Sequence, residues 1–238
     1  MSMPATKPAP AETDEQRFVI PGVSWEAYVG FNDALGERSY PRMIYCAGRL
    51  TFMAKTRHHE WLSFRLGSFV DEVATILGIE CEASGEATYR RRKKEAGLEG
   101  DQTFHFGRNA KRMRGPKNYD FEVDPPPDLA IEVEATHSAD DAVEAWGRLG
   151  VPEIWRFDAR RWTCTFWNRR DDGTYQQVAR SSFLPPLEPN DVVDQMRRVQ
   201  QIGNIQWRAQ LDDWVRNDLL PRRRKAGPSR RKGGRPAT

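Results

Sequence analysis

The chain has 238 residues, 30% of them charged and 38% apolar, enough for one good core or two small ones. No apolar run approaches the length of a membrane-spanning helix, which argues against an integral membrane protein. The net charge of +3 is unevenly placed. From Pro221 onward there are eight Lys or Arg and no acid, which leaves 29 of the 37 basic residues against all 34 acidic ones, about −5, in residues 1–220.

A mildly acidic folded part with a basic tail at 221–238 points to nucleic acid, because such tails bind polyanions by counterion release. At the other end, residues 1–17 lack an apolar signal region and read as a disordered arm, so a cytoplasmic protein is expected. Cys46, Cys81 and Cys164 are odd in number and lack metal-ligand spacing; they read as buried thiols.

Ser24 is placed to cap a helix within Phe18–Ala34. Arg42–Cys46 and Arg49–Met53 flank Ala47-Gly48 and predict a β-hairpin. Thr56 then caps a long helix, about 57–77, whose apolar positions Leu62, Leu66, Phe69, Val70, Val73 and Ile76 recur at three- and four-residue steps. His58, His59 and Glu60 open it, without the His-Glu-x-x-His zinc spacing. Ile79–Ala83 and Ala87–Arg91 read as strands around Ser84-Gly85. A basic run, Arg90 to Lys94, precedes a short strand that opens with Asp101. A second basic segment, Lys111, Arg112, Arg114 and Lys117, reads as a loop. Both segments suit a polyanionic substrate.

The stretch Asp128–Thr136 is the centre of the chain. Leu129, Ile131 and Val133 form one face of an extended strand, and Asp128, Ala130, Glu132 and Glu134 the other. Glu132 and Glu134 lie roughly 6.6 Å apart along such a strand and repel unless a cation or proton lies between them. Ser138 or Asp140 can cap a following helix that ends at Gly150, and Pro152–Asp158 forms a second strand. Strand, helix, strand is a right-handed crossover with parallel strands, which are normally buried. Two glutamates there indicate a site. Trp162–Trp167 and Thr174–Val178 flank the turn Asp171-Asp172-Gly173, and one or two amphipathic helices follow within 191–219. Trp207 and Trp214 read as packing residues there.

Four motifs together resemble the PD-(D/E)xK restriction-endonuclease-like superfamily, and more closely a bacterial stand-alone "putative restriction endonuclease" family. They are Met53-x-x-x-Arg57-x-His59-Glu60, Gly97-x-Glu99-Gly100-Asp101-x-x-Phe104, Pro126-Pro-Asp128-Leu-x-Ile-Glu132-Val-Glu134, and Leu149-Gly-Val-Pro-Glu-Ile-Trp155. The resemblance covers about residues 22–195. It implies an α/β fold with a central mixed sheet flanked by helices, in a domain over 18–195; the amphipathic pattern beyond it adds a C-terminal helix at 196–220. The resemblance also implies DNA as substrate and Mg²⁺, with Mn²⁺ as a substitute, for phosphodiester hydrolysis; homodimers are common among such nucleases. By resemblance, Asp101 and Glu132 are the two metal-binding acids. Glu134 stands where the superfamily usually has lysine and is implied as a third ligand, Glu60 is an additional helix-borne acid, and Asp128 is structural. Two departures stand out. Gly100 replaces the proline that precedes the first acid, a change expected to affect backbone stiffness only. Ala142 stands where relatives without the strand lysine often supply one, which brings forward a second reading: a DNA-binding protein that keeps the fold without cleavage.

Overall fold

The computed structural model describes residues 15–36, 40–115, 120 and 123–226, with side chains to 223. Two sheets organise it. The first is built from β1 (Gln16–Pro21), β2 (Arg42–Cys46), β3 (Arg49–Ala54), β5 (Thr88–Arg91) and β6 (Ala96–Glu99), in the order β1-β3-β2-β6-β5. The second is built from β4 (Cys81–Gly85), β7 (Gln102–Phe106), β8 (Leu129–Glu134), β9 (Glu153–Asp158), β10 (Thr163–Arg169) and β11 (Tyr175–Val178), in the order β11-β10-β9-β8-β7-β4. Its strands pair antiparallel except β8 and β9, so it is the mixed central sheet that the motifs imply.

Local signals account for the elements. Ala47 and Gly48 both have positive φ, +46° and +81°, as a two-residue hairpin between right-twisted strands requires. Ser24 caps α1 (Trp25–Leu35) by accepting from Ala27 N, and Thr56 caps α2 (Arg57–Ile76) by accepting from His59 N. Gly107–Met113 forms α3 and Asp140–Leu149 forms α4, which ends at Gly150 with φ +90°. No side chain fills the cap position of α4, Ala139, although Ser138 Oγ accepts from Asp140 N at 3.3 Å. Pro189–Gln201 forms α5. Asn204–Trp214 forms α6, which runs through a π-helical turn, Val215–Leu219, into α7 (Leu220–Ala226).

The alternation along β8 decides the layering. Leu129, Ile131 and Val133 join a core with α2, α5 and α6. Ala130, on the other face, packs with Ala142, Ala145 and Trp146 of α4 and with Ile44, Cys46 and Leu98 of the first sheet. Helix α4 is therefore held between the two sheets, and Tyr28 of α1 covers the far side of the first sheet with Met43 and Tyr45. Among the described residues no helix is long and apolar enough to cross a membrane.

Several expectations need correction. Residues 15–17 are not part of an arm: Glu15 is buried, and β1 pairs with β3 from Gln16. The rest of that arm, 1–14, lies outside the described residues. The strands expected around Ser84-Gly85 do not pair with each other; β4 and β5 belong to different sheets. Lys111 and Arg112 sit on α3 instead of in a loop, and Lys117 lies outside the described residues. The C-terminal helical region begins at Pro189, not 196, and continues to Ala226, not 220. The tail therefore starts later than 221: Arg222 pairs with Asp191, and Arg223 donates to the Leu77 carbonyl. Residues 227–238 lie outside the described residues. Of the thiols, Cys46 and Cys164 are buried and Cys81 is half-buried.

Candidate active site

The two sheets meet at Asp101, in the crossover from β6 to β7. Its side chain is fully buried. Oδ2 accepts from Val133 N of β8 at 2.8 Å, which fixes the carboxylate against the central strand. Oδ1 faces the Nη1 of Arg42 at 2.7 Å, His59 Nε2 at 2.9 Å and Lys55 Nζ at 3.5 Å. Arg42, the first residue of β2, spans the gap between the sheets. Its Nη2 donates to Glu132 Oε2 at 2.6 Å and its Nε donates to the Glu99 carbonyl at 2.6 Å. Glu132 completes the cluster by accepting from Trp146 Nε1 through Oε1 at 2.7 Å.

Glu132 and Asp101 thus come together as the resemblance implies, each bonded to one arm of a single guanidinium that is 1% exposed. Glu134 shares the face of Glu132 but is tied elsewhere: its Oε1 accepts from Arg156 Nε at 2.7 Å and from Ala139 N at 3.0 Å. Glu60 is about half exposed and meets the cluster through Lys55, 3.5 Å away, which also pairs with Glu86 at 3.1 Å. His58 is half-buried beside them and has no part in the cluster's ion pairs. Asp128 has the structural role expected of it, accepting from Phe106 N at 2.8 Å and Asn109 Nδ2 at 2.9 Å where α3 begins.

Charge follows geometry. Burial alone would push the Asp101 carboxyl up, but Arg42, His59 and Lys55 outweigh it and hold it well below the usual carboxylate range. Burial opposes charge on His59 as well, yet Asp101 and Glu15 raise it to about 9, so the ring is imidazolium at neutral pH. Burial raises Glu132, with the charge of Asp101 adding to the rise against the pull of Arg42. Two carboxylates on one cation are driven apart in this way. Burial also lifts Glu99 to about 7.

Sequence reasoning missed Arg42, Lys55, Glu15 and Trp146, and it placed His59 in a motif without giving it a role at the site. It also misjudged Gly100. A Cβ on Gly100 would stand 2.8 Å from both Trp146 Cζ2 and Thr103 Cγ2, and the Trp146 ring is fully buried. The missing proline is therefore not a matter of stiffness: its place is needed by the indole that bonds Glu132. Gly100→Pro is expected to cost about 1–3 kcal/mol through this overpacking, read as a lower denaturant midpoint; an unchanged midpoint would show that the ring can give way.

A metal is not accommodated by this arrangement. Every carboxylate oxygen of Asp101 and Glu132 already faces a protein donor. Among the described residues no three His, Cys, Asp or Glu side chains are grouped to hold a metal ion.

A cleft of about 760 Å³ opens beside α4 and the β10–β11 hairpin. Lys93, Lys94, Arg148, Arg156 and Arg169 line it, together with Asp140, Glu144 and Asp172. Arg156 thus joins the cleft wall to Glu134. The rest of the first basic run is engaged within the protein: Arg90 pairs with Asp33, Arg91 donates to the Asp124 carbonyl, and Arg92 pairs with Glu26. In the second basic segment, Arg112 donates to the Val123 carbonyl and Arg114 pairs with Glu80.

A family model, Uma2, "Putative restriction endonuclease", matches residues 25–200. No curated protein matches the chain. A solved structure from Anabaena variabilis, described as a "putative nuclease belonging to DUF820", is similar at 15% identity and a TM-score of 0.49, over 65% of this chain and 90% of that one.

Proposed function

The chain belongs to the Uma2 family, described as "Putative restriction endonuclease", and on that premise we propose that it is a DNA-directed nuclease with its acid site at Asp101 and Glu132. The observation that carries this reading is the convergence of the two acids, from different segments of the chain, on one cation at 2.7 and 2.6 Å. Glu134 and Glu60 are the outer acids of the same region. A phosphodiester backbone has a matching surface in the basic cleft, which reaches the acid face through Arg156.

The second reading, DNA binding without cleavage, has its own support. Ala142 is buried in the first turn of α4, where its methyl group can neither orient nor activate water. Plasmid binding and nicking by wild type and Glu132→Gln, each with Mg²⁺ and with Mn²⁺, separate the two. Nicking that disappears in Glu132→Gln supports the nuclease. Retarded but intact plasmid with both metals decides for binding alone. Absence of both activities removes DNA from the account.

The basic surface can be tested by itself. Lys93→Ala/Lys94→Ala, or deletion of 227–238, is expected to weaken binding for all sequences alike. The log–log salt slope should fall by about 0.9 for each phosphate that is no longer neutralised. An unchanged slope in both variants would take these lysines and the tail out of the interface.

A further inference from the structure

We infer that the guanidinium of Arg42 is the resident cation of the acid pair, so that a divalent ion and Arg42 exclude each other there. The inference rests on the reading of Asp101 and Glu132 as the nuclease acids, and it adds what occupies the site. Three observations carry it.

The first is position. Arg42 comes from the other sheet, is 1% exposed, and places one nitrogen on each acid at 2.7 and 2.6 Å, with Nε anchored on the Glu99 carbonyl at 2.6 Å. That is a bidentate clamp across the space between the acids, and a rigid guanidinium suits it better than a flexible ammonium would. The second is occupancy of the remaining oxygens. Val133 N takes Asp101 Oδ2 and Trp146 Nε1 takes Glu132 Oε1, so a metal ion chelated by both oxygens of either carboxylate would compete with a backbone bond or an indole bond as well as with the arginine. The third is charge. His59 and Lys55 stand beside Asp101 in addition to Arg42, so an arriving divalent cation meets three positive groups within 3.5 Å of the same carboxylate. A hard divalent ion binds through carboxylate oxygens, and the oxygens that face each other across this pair are the ones the Arg42 nitrogens hold.

The test is a Mn²⁺ titration of the DNA-free full chain, followed by the EPR signal of the free ion. Wild type and Glu132→Gln should give the same curve. Arg42→Ala and Arg42→Met, checked for folding by circular dichroism, should each gain at least tenfold in Mn²⁺ affinity, and adding Glu132→Gln should abolish the gain. Wild-type binding that Glu132→Gln removes would overturn the inference, as would folded Arg42 variants that gain nothing. Should neither Arg42 variant fold, the wild-type NMR signal of the Arg42 Nε–H decides. Left unbroadened by Mn²⁺ it supports the inference, and broadened beyond the other buried signals it overturns it. Failure of the nuclease reading would show instead in the plasmid assays, with this titration unaffected.

Discussion

Asp101→Asn is expected to lower folding stability by roughly 3–5 kcal/mol, seen as a Tm lower by on the order of 10 °C in a domain of this size. The substitution is isosteric, and the amide oxygen can still accept from Val133 N. What it removes is the negative charge facing Arg42, His59 and Lys55. Those cations then stay buried with too little counter-charge, and removing one partner of a buried ion pair is far more costly than replacing the whole pair. The sign of the effect discriminates between two kinds of acid site. Acids crowded together and waiting for a metal repel one another, so neutralising one relieves strain and leaves stability unchanged or raised. Here the acid is part of the structure that joins the two sheets. Chemical denaturation of wild type and variant, without divalent ions, measures it. A variant as stable as wild type would mean that Arg42 does not neutralise the pair in solution.

Much of the central architecture was legible because it is periodic. The two faces of β8, the crossover to β9 and the stripe of α2 all follow from steps of two or of three and four residues. The first sheet was not. Strand β6 has only four residues, between a basic run and Asp101, and sheet membership depends on partners distant in sequence. Adjacent β4 and β5, with Gly85 near their junction, imitate a hairpin although the chain changes sheets between them. In the candidate site, the acids could be found because carboxylates on a buried parallel strand need an explanation. Their cation could not, since Arg42 at a strand start has the local pattern of a surface residue. His59 did leave a signal: it stands three, four and seven residues before Leu62, Ser63 and Leu66, on the buried stripe of α2. Trp146 left a weaker one, since its partner Gly100 registers only as an absent proline.

The protonated His59 gives the fold a pH dependence with a definite sign. Its ring is fully buried and faces Asp101 at 2.9 Å and Glu15 at 2.5 Å, while Glu15 is held in turn by Thr136. Its folded-state value, about 9, lies above the 6.5 of an unfolded histidine. The stabilisation is therefore fully present below pH 6.5 and is lost as pH rises through 9. The difference corresponds to about 3 kcal/mol, or roughly 2–4 °C of Tm for each kcal/mol. A buried carboxyl and the buried thiols bound the useful window. Glu99, raised to about 7 by burial, contributes its own decline, which is complete near that pH. Cys46, Cys81 and Cys164, all raised by burial, add a further decline that begins as pH rises through the value of an unfolded thiol, about 8.5. Near pH 8, between those two declines, the slope belongs chiefly to His59. Thermal melts across that interval should show wild type losing stability steadily and His59→Gln, less stable at pH 7, running nearly flat. A wild-type curve parallel to that of His59→Gln would mean that the ring is neutral and that Asp101 takes its charge balance from Arg42 and Lys55 alone.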